Sequence, residues 1–267
     1  MGGGYSELLK YCKRIGLLYL CWLIIDFWYV WTNKTYFHVG IGEGIIEFIK
    51  DLFFASTFPG SWYLSASVMG GIWVYILNKI FHPVITFVVS YLLACYISRV
   101  NMLPDSFQVA YEWYAMTFRK EVILSFPGQM VWISAGQLLS LVMKDLWSRK
   151  RLLPVSVFVF IASLIINFFV NIIELKIIMA ISIVIACLLI DLPSSSIYKR
   201  LRSYSILMFF FHFSIAGKMR YFTAIVGDSL LTNWLYYLIV VTMSVLFAEM
   251  VLRLEKTKYF AFLKYTH

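Results

Sequence analysis

The sequence predicts an all-α integral membrane bundle of about eight transmembrane helices, with one further amphipathic helix at the membrane surface. Hydrophobic residues make up 61% of the 267-residue chain and charged residues only 14%, whereas soluble domains carry about 25% charged residues. The mean hydropathy is +0.80. Because unpaired backbone groups are not tolerated in lipid, helices are the expected spanning elements.

Eight apolar runs follow one another along the chain as predicted spans. They cover Ile15–Trp31, Gly60–Leu77, Phe81–Ser98, Val122–Met143, Leu152–Ile173, Ile177–Leu192, Ser203–Gly217 and Ser229–Met250. Asn78 and Lys79 are expected to form a tight connection between the second and third spans, and Pro127 is expected to interrupt the fourth. With no internal repeat visible in the sequence, we predict a single membrane-embedded domain over residues 1–267.

The stretch between the first two spans is amphipathic over Gly42–Phe54. Its apolar residues recur at helical spacing with charged residues between them: Ile41, Ile45, Ile46, Ile49, Leu52 and Phe53. This pattern predicts a helix lying in the outer surface of the membrane.

The distribution of basic residues predicts the orientation. An even number of spans puts both termini on one side, and 15 of the 23 Lys and Arg residues fall on that side and eight on the other. The positive-inside rule then places both termini of this multi-pass protein in the cytoplasm, within the cell membrane. The formal charge of +9 is explained by this orientation, so the expected partner is the lipid bilayer and no nucleic acid. The oligomeric state stays open.

The four cysteines are scattered in or beside apolar runs without a CxxC pair: Cys12, Cys21, Cys95 and Cys187. Such a distribution predicts packing residues, and neither a metal site nor a disulfide framework.

Ionisable residues inside the spans are candidates for function. His212 lies roughly 12 Å along a helix from Tyr204, which is near the middle of a hydrocarbon layer of about 30 Å. It is either a buried histidine bonded to a neighbouring helix or a group that lines a reaction or transport path. Asp26 lies inside the first span, and the sequence suggests no role for its carboxylate.

Four stretches, in the right order, resemble the acyltransferase-3 family of membrane acyltransferases. They are KYCKRIGLLYLCW (Lys10–Trp22), GSWYLSA (Gly60–Ala66), WISAGQLLS (Trp132–Ser140) and SYSILMFFFHFSI (Ser203–Ile215). In order, they are similar to the family's basic entry into its third span, its Trp-aromatic-Leu signature, its Leu-Gly-rich span and its final aromatic-x-x-His stretch. The resemblance covers nearly the whole chain.

The resemblance implies a membrane O-acyltransferase. Such an enzyme moves an acyl group, usually acetyl, from acyl-CoA to a hydroxyl of an envelope polysaccharide or another carbohydrate acceptor. His212 is then the remaining candidate base. Arg14, Lys13 and Lys10 are candidates for binding acetyl-CoA, since arginine suits phosphate geometry, and Trp62 is a candidate for contacting the sugar. The alternative is that the basic residues are orientation anchors and Trp62 belongs to an interfacial aromatic belt.

The family pattern also contains two further N-terminal spans, the first with an Arg and a His that is thought to be the catalytic base. Here the opening GGGYS resembles the end of the family's second span. This predicts a member that lacks the first two family helices, either active or an inactive remnant. The other class of function is a non-enzymatic multispan protein, such as a permease or a polysaccharide-export component. Transporters often show broken helices in matching halves, and no such pair is visible in the sequence.

Overall fold

The computed structural model describes residues 4–118, 121–146, 152–190, 195–227 and 229–267. Every regular element in these ranges is helical. The α-helices are α1 (Tyr5–Ile25), α2 (Phe27–Asn33), α3 (Ile41–Phe54), α4 (Ser61–Ile80), α5 (Pro83–Ser98), α6 (Asp105–Phe118), α7 (Phe126–Leu146), α8 (Leu152–Val170), α9 (Ile173–Leu189), α10 (Ser196–Val226) and α11 (Leu230–Leu254). Short 3-10 segments occur at Thr35–Phe37, Val100–Met102, Val122–Leu124 and Lys258–Tyr265.

The predicted helical membrane class is confirmed, because several helices are able to span a bilayer. Within the described ranges, three segments are long and apolar enough: Val122–Val142, Leu152–Val170 and Leu231–Leu254. A fourth span results if α1 and α2 cross the membrane together. Each of the eight predicted runs is largely helical, the first as two helices, but α5 and α9 have only 16 and 17 residues. The number of eight spans therefore stays a prediction.

Neither of the two helix breaks expected from the sequence, at Asn78–Lys79 and at Pro127, lies at the expected position. Helix α4 continues through Asn78 and Lys79, and the chain turns at Phe81 and His82 instead. There the Nδ1 atom of His82 accepts a hydrogen bond from the N–H of Val84 at 3.4 Å, and a proline follows it at the start of α5. Pro127 lies in the first turn of α7. It does not interrupt that helix, since a first-turn N–H has no partner within its helix.

The first predicted span is broken at Asp26. The axes of α1 and α2 differ by 68° across this residue, whose carboxylate accepts a hydrogen bond from the hydroxyl of Ser214 on α10 at 3.0 Å. Aspartate is a poor residue for a helix interior. Ser214 gives one oxygen of this carboxylate a hydrogen-bond partner on another helix.

The chain divides into two compact units, with the boundary inside α4 after Val68. One unit comprises the described residues of Met69–Pro193, in which α8 packs on α9 and α5 packs on α7. The second unit joins Tyr5–Val68 to the described residues of Ser194–His267, and α10 packs on α11 within it. All five predicted site residues belong to the second unit.

The core of the second unit is built around Trp22 on α1, which is fully buried. Its ring lies 5.0 Å from the ring of Phe210 on α10, centroid to centroid. Its Nε1–H donates a hydrogen bond to the carbonyl oxygen of Thr266 at 3.2 Å. Trp22 therefore connects α1 with both α10 and the end of the chain.

Helix α3 confirms the predicted amphipathic helix. Its apolar stripe points outward, with Ile41 85% and Ile46 56% exposed. Asp51 points inward and accepts hydrogen bonds from Lys34, at 2.6 Å, and from the hydroxyl of Tyr36. A helix with its isoleucines outside and a satisfied carboxylate inside has the side-chain arrangement that contact with lipid requires.

Candidate basic cavity

Lys10, Lys13 and Arg14 open onto one cavity of about 360 Å³ in the second unit. They share a face of α1, because residues three and four apart are neighbours on a helix. The rest of the lining comes from the same helix, from α10 and from the C-terminal segment: Leu17, Leu18, Ile206, Lys264, Tyr265 and His267. The structure thus brings together the three basic residues that were predicted to bind acyl-CoA.

The order of residues along α1 determines the character of the cavity. Its first turns carry exposed basic residues, and one turn later the sequence becomes apolar at Leu17 and Leu18. Ile206 contributes a third apolar side chain from α10. The cavity therefore has a cationic rim and an apolar floor.

The C-terminal segment is held against α1 by buried contacts. Besides the bond from Trp22 to Thr266, the Sγ–H of Cys21 lies 3.7 Å from the carbonyl oxygen of Phe262. Thr266 is fully buried and Leu263 is 6% exposed. These anchors place Lys264 and His267 at the cavity. In the sequence His267 looks like a tail residue, because no local pattern signals a contact between segments that are 244 positions apart.

His267 is the only histidine among the described lining residues. Its Nε2 atom lies 3.4 Å from the carboxylate of Glu255. Burial lowers the pKa of His267 below its ordinary value; Glu255 opposes this shift, and the charge of Arg202 adds to it. At neutral pH the cavity therefore presents four full cations from Lys10, Lys13, Arg14 and Lys264, with a neutral imidazole beside them.

His212 lies away from this cavity, farther along α10. It is half-buried, and its Nδ1 atom lies 3.0 Å from the carbonyl oxygen of Met208 in the same helix. It follows Ile206 by six residues, which is about 9 Å along the helix axis. One expectation from the sequence was a bond from His212 to a neighbouring helix, whereas the bond observed is to its own helix.

The bond to Met208 determines the tautomer of His212. A carbonyl oxygen only accepts, so Nδ1 carries the proton and donates. In the neutral imidazole the Nε2 atom is then an acceptor with a free lone pair in the plane of the ring. A general base would use this Nε2 lone pair.

Trp62 stands at the beginning of α4, in a turn that packs near His212. Gly60 has a φ of +84°, a conformation that favours glycine, and a Cβ there would lie 3.0 Å from the ring of Phe213. The ring of Tyr63 lies 5.6 Å from that of Phe209. The GSWYLSA stretch therefore lies against the turn of α10 that contains His212.

Glu249 joins α10 and α11 by several charged contacts. Glu249 and Arg253 are four residues apart, a spacing that predicts a pair one helical turn apart, and this pair is present at 2.8 Å. Arg200 of α10 lies 2.6 Å from the other carboxylate oxygen. The hydroxyl of Tyr204 donates to the same oxygen as Arg200. Arg200 is thus engaged in holding two helices together.

The family resemblance rests on the four quoted stretches alone. No family model, curated protein or solved structure matches this chain. Within the described ranges there is also no group of three or more His, Cys, Asp or Glu side chains that could hold a metal ion.

Proposed function

We propose that this chain is a multi-pass membrane O-acyltransferase. It would take an acyl group, acetyl in the first instance, from acyl-CoA and transfer it to a hydroxyl of an envelope polysaccharide or another carbohydrate. The main support is the convergence of Lys10, Lys13 and Arg14 on one cavity. Coenzyme A carries several phosphate groups, and a guanidinium with nearby ammonium groups suits such a ligand.

His212 is the base in this proposal. Its Nε2 atom would accept the proton of the acceptor hydroxyl as that oxygen attacks the acyl carbonyl. The C–S bond of the thioester would then break, and coenzyme A would leave as the thiol with the proton returned by the imidazolium. The neighbouring turn with Trp62 offers an aromatic ring to a sugar. The distance between His212 and the cavity along α10 requires the acyl arm of the ligand to extend along that helix.

The membrane arrangement in this proposal has eight spans with both termini in the cytoplasm. The basic cavity then faces the compartment that contains acyl-CoA. Helix α3 lies in the opposite surface of the membrane with its isoleucines toward lipid.

The test is equilibrium binding of labelled acetyl-CoA to the purified chain in detergent, followed by acetyl transfer in membranes. Arg14→Ala removes a charge-assisted contact and should weaken binding by about 1–3 kcal/mol. Lys256→Ala is the matched control, because Lys256 is exposed and does not line the cavity. Equal affinity of the two variants would make Arg14 an orientation anchor and remove the main support.

The transfer assay examines His212. His212→Asn keeps a donor for the Met208 carbonyl but lacks the Nε2 base. It should lower the transfer rate by about 10²–10⁴-fold without changing the affinity for acetyl-CoA. Unchanged transfer by this variant would exclude His212 as the base.

A permease is the second candidate, and the break at Asp26 favours it. Broken helices with a polar residue at the break are common at transporter binding sites, and here the Asp26 carboxylate is bonded to Ser214. A permease whose transport uses this site would lose solute uptake in vesicles with Asp26→Asn, while an acyltransferase would keep its acetyl-CoA affinity in that variant. If the unmodified chain does not bind acetyl-CoA, that result would favour the permease.

A further inference from the structure

We infer that the C-terminal segment forms half of the ligand site: Lys264 and His267 bind phosphate oxygens of an amphiphile whose apolar part lies on Leu17, Leu18 and Ile206. This inference deepens the proposed function. Only the identification of the ligand as an acyl-CoA rests on that function. The shared chemistry is a phosphate ester that carries an apolar chain. Such a ligand is either a medium- or long-chain acyl-CoA or the headgroup region of an anionic phospholipid.

The first support is the sign of the charges. Among the described lining residues there are four cationic side chains and a histidine but no acidic side chain. Glu255 contacts His267 from outside this lining. Like charges that share one cavity repel each other, and a bound anion removes that repulsion.

The second support is the way in which the segment is held. Lys264 lies between Leu263 and Tyr265, and the hydroxyl of Thr266 donates to the carbonyl oxygen of Leu263 at 2.6 Å. With Thr266 also bonded to Trp22, buried groups stand on both sides of the exposed lysine. Its position at the rim is therefore imposed by packing, which reduces the entropy that the lysine loses when it binds a ligand.

The third support is the apolar floor. Inorganic phosphate would gain nothing from Leu17, Leu18 and Ile206, whereas an alkyl chain gains binding free energy with each CH₂ group that it buries there. Ligand sites typically combine such an apolar surface with a few polar groups that fix the orientation. The combination in this cavity fits an amphiphile better than a small anion.

The experiment measures binding of three soluble ligands to the purified full chain in detergent: octanoyl-CoA, coenzyme A and dihexanoyl phosphatidic acid. Lys264→Gln should weaken octanoyl-CoA binding by about tenfold, as expected for the loss of one charged hydrogen bond. Lys258→Gln, on the same segment but exposed and outside the lining, should stay within about twofold, as for a surface charge. Equal thermal unfolding of the two variants without ligand would show that both are folded.

The apolar floor predicts that octanoyl-CoA binds at least about tenfold more tightly than coenzyme A, given the transfer free energy of its alkyl chain. His267→Gln should weaken both ligands more at pH 5.5 than at pH 8, because only a protonated imidazole adds charge to the site.

Each outcome has a defined consequence. Loss of affinity in Lys264→Gln for octanoyl-CoA alone identifies acyl-CoA as the ligand, and loss for phosphatidic acid alone identifies a lipid headgroup. Equal affinity of Lys264→Gln and Lys258→Gln for both ligands overturns the inference. If Lys264→Gln weakens octanoyl-CoA binding, equal binding of octanoyl-CoA and coenzyme A also overturns it, because the apolar floor then contributes nothing. If Lys264-dependent binding is found but no acyl transfer, the proposed function fails while this inference stands. If transfer is found and Lys264→Gln binds normally, the inference alone fails.

Discussion

His267 illustrates how a single residue acquires chemistry from its surroundings. As the last residue of an exposed tail it would titrate near its ordinary pKa of about 6.5. Anchored beside Glu255 and near Arg202, it is partly removed from water, and burial lowers its pKa. A lowered pKa means that the folded state binds a proton less readily than the unfolded state.

This shift predicts a pH dependence of stability. Above the ordinary histidine pKa both states are neutral at His267, and the residue makes no pH-dependent contribution. As the pH falls through about 6.5 the unfolded state binds its proton first, so the free energy of unfolding decreases until the folded-state pKa is reached. Thermal unfolding of the unmodified chain and of His267→Gln, without ligand, should therefore diverge between pH 8 and pH 5.5. An identical decrease in both proteins would show that other groups cause it.

His212 shows the same dependence on local contacts in a different form. Its bond to the Met208 carbonyl lies within one helical turn, so the partner that favours this tautomer belongs to the same helix. What the rest of the fold adds is the aromatic environment, including the ring of Phe213 at 4.1 Å, and the nearby start of α4.

At the scale of elements, α3 depends on a close approach to the 3-10 segment at Thr35–Phe37. Gly44 faces the carbonyl oxygen of Tyr36 so closely that no Cβ fits between them. Two positions earlier, Gly42 has open space around its missing Cβ. The two glycines of one helix thus have different reasons to be present.

The two glycines provide a matched pair of substitutions. Gly44→Ala should force α3 away from its neighbour and lower the free energy of unfolding by about 1–3 kcal/mol, as overpacking does. Gly42→Ala should be neutral or stabilising by about 0.5 kcal/mol, because alanine favours the helix. Thermal unfolding in detergent, with hydrogen exchange of the α3 amides, measures both effects. A similar loss in the two variants would mean that helix α3 is generally intolerant of side chains there.

The hydrogen bonds around Asp51 explain why α3 stays close to the 3-10 segment at Thr35–Phe37. Lys34 and Tyr36 both donate to the Asp51 carboxylate, and Lys34 also donates to the carbonyl oxygen of Ser56. Burial, followed by the bond to Asp51, raises the pKa of the Tyr36 hydroxyl, which therefore remains a donor throughout the physiological range.

For the whole molecule, the predicted topology is the property with the widest consequences. With eight spans, a reporter fused after Glu112 lies outside the cell and one fused after Lys150 lies in the cytoplasm; Lys150 is outside the described residues. The reason is the excess of 15 basic residues over eight on the terminal side. Alkaline phosphatase and green fluorescent protein fusions at both sites measure the compartment. If both report the same side, the eight-span arrangement is wrong, and the basic cavity loses its cytoplasmic assignment.

Local patterns determined much of the fold. The apolar runs and the period of the Ile41–Phe53 stripe predicted helices, one of them amphipathic, and the spacing of Glu249 and Arg253 predicted an ion pair; all of these are present. The position of α3 at the membrane surface stays a prediction. These features depend on residues within a few positions of one another, and such short-range periodicity is legible in a sequence. The grouping of Lys10, Lys13 and Arg14 on one face follows from the same helical spacing.

Only the tertiary structure decided the break at Asp26, the participation of Arg200 in the Glu249 cluster, and the return of the C-terminal segment to α1. Each depends on a contact between distant parts of the chain: Asp26 with Ser214, Arg200 with Glu249, and Trp22 with Thr266. No local propensity encodes such a pairing, because its free energy comes from burial and from polar groups that find partners only after the helices have packed. Lys264 and His267 became candidate site residues for that reason, while in the sequence they were the end of a basic tail.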